Sequence, residues 1–312
     1  MPRPRERAKE IAMRIVLGVD GSEGARWAGE LLLALPFPPP VDVTILSAVD
    51  VPEAAFTSLT PMARRAYGQA MATMRREAEG VALKAIEAAA EVLDGRVASL
   101  ATRLKQGSPA TALIETAEGL RADLIAIGSR GLGPVKEFLL GSVSHKIVRC
   151  APCSVLIARG GLDRLQRILV GVDGSVHAAA ATKFVADLLL PREASIHLCS
   201  VAEEPIFGPA KAGRTPEELH AALQTISEIG RMAAEHVLNE TRGLLATEGH
   251  SVTTSLRSGH PVDHLLAAIR EFRPDLAVIG AKGRTTAKGP GLGSVAHMVL
   301  KYASCSVLVV RP

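Results

Sequence analysis

At 312 residues the chain is about twice the usual domain length, which predicts two domains of roughly 150 residues, each able to bury its own core. Hydrophobic residues make up 47% and charged residues 22%, which excludes intrinsic disorder, and six Phe, two Tyr and one Trp are too few for the base-stacking platforms of single-strand nucleic-acid binders. Of the formal charge of +4, three units sit in the first 14 residues, where Arg3, Arg5, Arg7, Lys9 and Arg14 face only Glu6 and Glu10; the near-neutral remainder offers no basic field for a polyanion, and the tail reads as a solvated start.

The first apolar run, "RIVLGVDGS" at 14–22, reads as a strand that ends in Asp20. Charges of both signs precede it, and Asp20 arrives too soon for the core of a signal peptide. A helical pattern covers 24–35 and stops at the prolines of "LLLALPFPPP"; no apolar run approaches the ~18 to 20 residues of a membrane-spanning helix. A strand at "DVTILSAV" (42–49), an Ala- and Glu-rich helix from about Met62 to Leu93, and a strand at "RVASLATRL" (96–104) follow. Ser108-Pro109 opens a helix over 109–121, with Ser as its cap and Pro at the first helical position. The half closes with a strand at "DLIAIG" (123–128), a helix over 143–150 and a strand at "SVLIA" (154–158). The strands are rich in Val, Ile and Leu with little alternation, the pattern of a parallel sheet buried on both faces.

The same order then starts again. "RIVLGVDGS" recurs as "RILVGVDGS" at 167–175 with seven of nine positions identical; "ADLIAIGSRG" (122–131) recurs as "PDLAVIGAKG" (274–283), and "CSVLIAR" (153–159) as "CSVLVVR" (305–311). A helix start at His260-Pro261 answers Ser108-Pro109. This is a tandem duplication joined near "RGGLDR" (159–164), and it predicts two α/β domains, 1–159 and 160–312, each a doubly wound parallel sheet. Ligands in such sheets bind at the carboxyl ends of the strands, where the strand order reverses.

Asp20 and Asp173 stand at that end of the first strand of each half, although Asp-Gly-Ser is also ordinary turn and helix-capping chemistry. The fourth strand carries a more specific signal. Gly128 and Gly131 precede Gly141-Ser142 by a nine-residue gap, and Gly280 and Gly283 precede Gly293-Ser294 by the same gap, with different residues between. Glycines there let the backbone approach a ribose or phosphate, and the helix after each Gly-Ser offers free N–H groups and a favourable dipole end, with Ser142 and Ser294 expected as caps. Arg130 and Lys282 fall at equivalent places in the turn and can offset phosphate charge. Phe138, Leu139 and Leu140 are expected to anchor the first loop, whereas "RTTAKGPG" leaves the second with Leu292 alone, so the two sites are expected to differ.

On these motifs and the closing "APCSVLIA" and "ASCSVLVV" segments, the chain resembles the universal stress protein family in its tandem, ATP-binding form, over nearly its whole length. The resemblance implies a five-stranded parallel sheet with helices on both faces in each half, the closing strands pairing across a pseudo-two-fold. It implies an adenine-nucleotide site formed by Val19, Asp20, Ala48, Ile127, Gly128, Arg130, Gly131, Gly141, Ser142 and Val143. In the second half the same positions are Val172, Asp173, Val201, Ile279, Gly280, Lys282, Gly283, Gly293, Ser294 and Val295. The expected ligand is ATP, with ADP or AMP as alternatives and Mg²⁺ as an accompanying ion. The implied role is a stress-response regulator that pairs its two halves within the chain, with a homodimer as a further option; composition, charge and the four unevenly spaced cysteines add the expectation of a cytoplasmic protein with no nucleic-acid or membrane partner.

Other patterns point elsewhere less well. "CAPC" at 150–153 has redox spacing but follows a helix instead of opening one, and only Cys153 and Cys305 repeat, which reads as two half-buried apolar cysteines. His145 and His297 repeat on the helix after Gly-Ser and read as packing residues. Neither GxxxxGK[ST] nor GxSxG occurs, so fast ATP hydrolysis and the hydrolase elbow have no motif here. Two rivals to a binding module remain: an adenylyl-transferring or ATP-hydrolysing enzyme of the adenine-nucleotide α-hydrolase-like fold, and a partner-binding scaffold that needs no ligand.

Overall fold

The computed structural model describes residues 12–51, 60–131, 140–203, 216–246, 250–284 and 291–312. Along the chain the division into two compact units falls between Gly161 and Leu162. The first unit contains β1 (Met13–Gly18), α1 (Glu23–Ala34), β2 (Val41–Val49), α2 (Pro61–Leu93), β3 (Ser99–Gln106), α3 (Pro109–Leu120), β4 (Leu124–Gly128), α4 (Ser142–Cys150) and β5 (Ser154–Ala158). The second repeats the order as β6 (Arg167–Gly171), α5 (Val176–Ala186), β7 (Ser195–Ala202), α6 (Pro216–Ala246), β8 (Ser251–Ser258), α7 (Pro261–Phe272), β9 (Leu276–Gly280), α8 (Ser294–Tyr302) and β10 (Ser306–Val310).

Within the first unit the strands run β3-β2-β1-β4-β5, every neighbouring pair parallel; within the second they run β8-β7-β6-β9-β10, again all parallel. The order reverses beside β1 and β6, so the crevice between β1 and β4, and that between β6 and β9, is where a doubly wound sheet opens at its carboxyl ends. Helices α1 and α2 cover one face of the first sheet and α3 and α4 the other; α5 and α6, then α7 and α8, do the same in the second. Ile15, Leu17, Ile45, Leu124, Ile125 and Leu156 are fully buried between these layers.

The expected two-sided burial holds for β4 and β5 and for the interior of β1, but not for β3. Its residues are exposed or half-buried because it lies at the outer edge beside β2 and is covered chiefly by α2, whereas β5 packs against both α1 and α4; β8 repeats this with α6. Ser108 holds the N-cap position of α3 without a side-chain cap bond, and Pro109 takes the first turn as expected. Among the described residues no helix is long and apolar enough to cross a membrane.

Candidate functional site

Each crevice is built from a turn, a strand end and a helix start. In the first unit, Ser22 caps α1 by accepting the Ala25 N–H (3.2 Å), and both its own N–H (3.0 Å) and its hydroxyl (2.5 Å) donate to Asp20 Oδ1. The Asp-Gly-Ser turn is therefore a helix cap, and it also fixes the carboxylate: with Oδ1 engaged, Oδ2 faces Gly131, where a Cβ would collide with it. Gly21 has φ +79°, a turn conformation open to glycine. The second unit repeats the device: Ser175 caps α5 through the Ala178 N–H (3.1 Å), its N–H donates to Asp173 Oδ1 (2.9 Å), and a Cβ on Gly283 would stand 2.9 Å from Asp173 Oδ2. The Ser22 and Ser175 hydroxyls also reach the carbonyls of Arg130 (3.4 Å) and Lys282 (3.2 Å), which ties the glycine turn to the end of the first strand.

The glycine turn closes on the following helix. Gly141 N–H donates to the Ser129 carbonyl (2.9 Å) and Gly293 N–H to that of Ala281 (2.8 Å). Here the expectation for Ser142 and Ser294 is corrected: Gly141 and Gly293 occupy the N-cap positions of α4 and α8, in extended backbone, and the serines are the first helical residues. Because glycine has no side chain to offer, neither helix receives a side-chain cap bond, and its first N–H groups stay available to an anion.

Around these parts lie two open clefts of similar size, one in each unit. Val19, Asp20, Ala48, Ile127, Gly128, Arg130, Gly131 and Val143 line the first; Gly141 and Ser142 do not. Val172, Asp173, Val201, Ile279, Gly280, Lys282, Gly283, Gly293, Ser294 and Val295 all line the second. Residues 136–139 of the first loop, with Phe138 and Leu139, and Lys288 and Gly289 of the second lie outside the described residues; Leu140 is half-buried.

Sequence reasoning missed the walls. Leu46 and Cys199 stand two residues before Ala48 and Val201 on the same strand face, and Pro109 with Leu113, or Pro261 with Leu265, form one face of α3 or α7. Those strand and helix periodicities were the available signal. Among the described residues Glu203 and Arg284 line the second cleft without a counterpart in the first, and burial pushes the Cys199 thiol above its usual range. All four cysteines are thiols; Cys153 and Cys305 are buried, deeper than expected, because β5 and β10 start directly after them. His145 and His297 are half-buried on α4 and α8 and line neither cleft.

Comparison with known proteins now adds the family. The profile of the Universal stress protein family matches residues 12–159 and again 164–311. A universal stress protein of Mycolicibacterium smegmatis is 28% identical over 259 residues, covering 78% of this chain and 82% of that protein. A universal stress protein of Thermus aquaticus is 54% identical over 56 residues, 18% of this chain and 41% of that protein. The crystal structure of a universal stress protein from Archaeoglobus fulgidus DSM 4304 aligns with a TM-score of 0.57 at 21% identity over 96% of this chain and 98% of that one, which shows a shared fold. With the family profile matched twice along its length, the chain belongs to the universal stress protein family as a tandem of two such domains.

Proposed function

We propose that each cleft binds an adenine nucleotide, ATP foremost, and that the protein is a stress-response regulatory module that turns ATP over slowly or not at all. One observation carries this reading. Both units set a fixed carboxylate (Asp20, Asp173), a glycine turn with a cation (Arg130, Lys282) and a helix start without a side-chain cap around one cleft. The carboxylate oxygen left over from the Ser22 or Ser175 bond suits a ribose hydroxyl or base amine, which donate, and the helix start suits phosphate, which accepts. Leu46, Ala48 and Leu113 give the first cleft an apolar wall against which a base can lie.

Slow turnover is supported by the lining of the first cleft. Asp20 is the one carboxylate among the described residues of the first cleft, and its Oδ1 already accepts from Ser22. Among the described residues no group of three His, Cys, Asp or Glu side chains could hold a metal ion, so Mg²⁺ belongs to this reading only as the counter-ion of the phosphates. Isothermal titration of nucleotide-stripped protein tests the proposal. Heat on adding ATP, ADP or AMP is expected; no heat with any of them, and no nucleotide in the purified protein, overturns it.

A further inference from the structure

The two clefts differ at one junction beneath the glycine turn. His177, second residue of α5, occupies the place that Gly24 holds in α1. In the first unit that missing side chain lets backbone meet backbone: a Cβ on Gly24 would stand 2.6 Å from the Arg130 carbonyl oxygen, and one on Gly128 2.5 Å from the Gly24 carbonyl carbon. In the second unit a Cβ on Gly280 would stand 2.7 Å from the His177 carbonyl carbon and 2.8 Å from its Cβ, so the strand end that starts the turn packs directly on the histidine.

The imidazole thus sits among the ends of three strands. The Val310 backbone at the end of β10 lies near the ring, while Nδ1 is shielded from solvent and closes no bond of good geometry among the described residues. Three charges face it: Lys282 after β9, Arg311 after β10, and Asp173 after β6. Burial, then the two cations, hold the ring below its ordinary pKa of 6.5, against the opposing pull of Val310 and Asp173. Near neutral pH it is therefore uncharged beside Lys282, and Lys282 lines the cleft.

We propose that His177 is a proton-linked positioning residue of the second cleft: it seats the Lys282 turn against β10, and an anion bound there draws a proton onto its ring. The first cleft, with Gly24, has no such response. The inference rests on the reading of the clefts as nucleotide sites. A phosphate beside Lys282 offsets the like-charge repulsion that disfavours imidazolium, so the ring's pKa is higher with ligand than without, and by linkage affinity rises as pH falls through the ligand-bound value. The phosphate's own protonation also changes affinity with pH, and comparison with His177→Gln, which keeps the cleft cations but cannot titrate, separates that part from the ring's.

ATP affinity is measured from about pH 8 to about pH 5.5 in Gly131→Asp, which leaves the second cleft, and in Gly283→Asp, which leaves the first, once melting curves show both folded. The ratio of second-cleft to first-cleft affinity is expected to improve about three- to tenfold over that range, since one pKa unit of coupling is a factor of ten. Titrations in buffers of different ionisation enthalpy should show the extra proton taken up, and His177→Gln, which keeps a donor toward Val310 but cannot titrate, should remove that uptake. A ratio that stays constant with pH, or extra uptake that survives His177→Gln, overturns the proposal while nucleotide binding stands. If the unmodified chain binds no nucleotide at all, both readings fall together.

Discussion

Asp20 shows how a capping residue also serves a site. Ser22 takes one carboxylate oxygen, and the absence of a side chain at position 131 leaves the other facing the glycine turn. Gly131→Ala places a methyl group against Asp20 Oδ2, and the carboxylate can yield only by giving up its bonds to Ser22. The expected outcome is a tenfold or greater loss of ATP affinity at the first cleft, about 1.4 kcal/mol, together with a lower urea midpoint as the bonds to Ser22 are given up. Gly128→Ala acts on the fold itself. Its methyl meets the Gly24 backbone at 2.5 to 2.8 Å, which cannot rotate aside, so about 1 to 3 kcal/mol of folding stability is lost, read from urea denaturation. His197 on β7 makes a different contribution. Its two ring nitrogens meet Thr253 Oγ1 and Ser255 Oγ of β8, each at 2.9 Å, and its ring stacks on Phe272. Burial first, and Arg257 second, push its pKa below 6.5, with Glu271 opposing. An unfolded chain protonates this residue at its ordinary value while the folded one does not, so the stability it contributes is full above pH 6.5 and is lost as pH falls from there through the folded-state pKa. The urea midpoint should drop between pH 7.5 and pH 5.5, and His197→Gln should reduce that drop; it does not vanish, because His177 titrates with the same sign.

At the scale of elements, α4 and α8 trade stability for an open anion site. Gly141 has φ −63° and ψ 157°, a backbone any residue adopts, and a Cβ there would make ordinary contacts, the nearest 3.4 Å from the Ser129 carbonyl oxygen. Conformation therefore does not require glycine at 141; an unoccupied N-terminus does. Gly141→Asp should add a cap worth a few tenths of a kcal/mol and raise the melting temperature, while its carboxylate takes the N–H groups offered to phosphate and lowers ATP affinity at the first cleft. A variant that binds ATP as tightly as the parent would show that this helix start does not hold the phosphates. The same helices mark where sequence reading stopped. Apolar runs and Pro109 located every strand and helix of the first unit to within a few residues, because period and punctuation are local properties. Which of Gly141 and Ser142 caps the helix was misread, since both suit the position and the choice depends on the Gly141 N–H reaching Ser129 across the turn. The exposure of β3 was missed for a like reason: edge position is a matter of strand order, which "RVASLATRL" does not encode. Cleft walls such as Leu113 and Leu265 lie on helices distant in sequence from the glycine turn, and only the assembled sheet brings them to it.

Across the whole molecule, duplication has kept the frame of the site and let its charges diverge. Turn, strand end and helix start correspond in both units, down to the serine that accepts the first-turn N–H. The residues that fill this frame do not: Leu46 is answered by Cys199, Gly24 by His177 and Arg130 by Lys282, and the second cleft gains Arg284 and Glu203. Among the described linings the first cleft thus presents one cation to a polyphosphate and the second presents two. Glu203 follows directly on β7, near Val201, whereas Lys282 and Arg284 flank Gly283 in the turn, so the added positive charge is concentrated beside the helix start. Both clefts are open to solvent, and charge in such a setting acts over the Debye length, which shrinks from about 30 Å at 0.01 M salt to about 8 Å at 0.15 M. Salt should therefore weaken ATP binding at the second cleft more steeply than at the first. In Gly131→Asp and Gly283→Asp, each with one cleft left intact, affinities are compared at low and at high salt. The second cleft should lose the larger factor, and Arg284→Ala should bring its salt dependence close to that of the first. Equal slopes in the two variants would mean that Arg284 does not reach the phosphates and that the clefts, despite their different linings, present the same charge to the ligand.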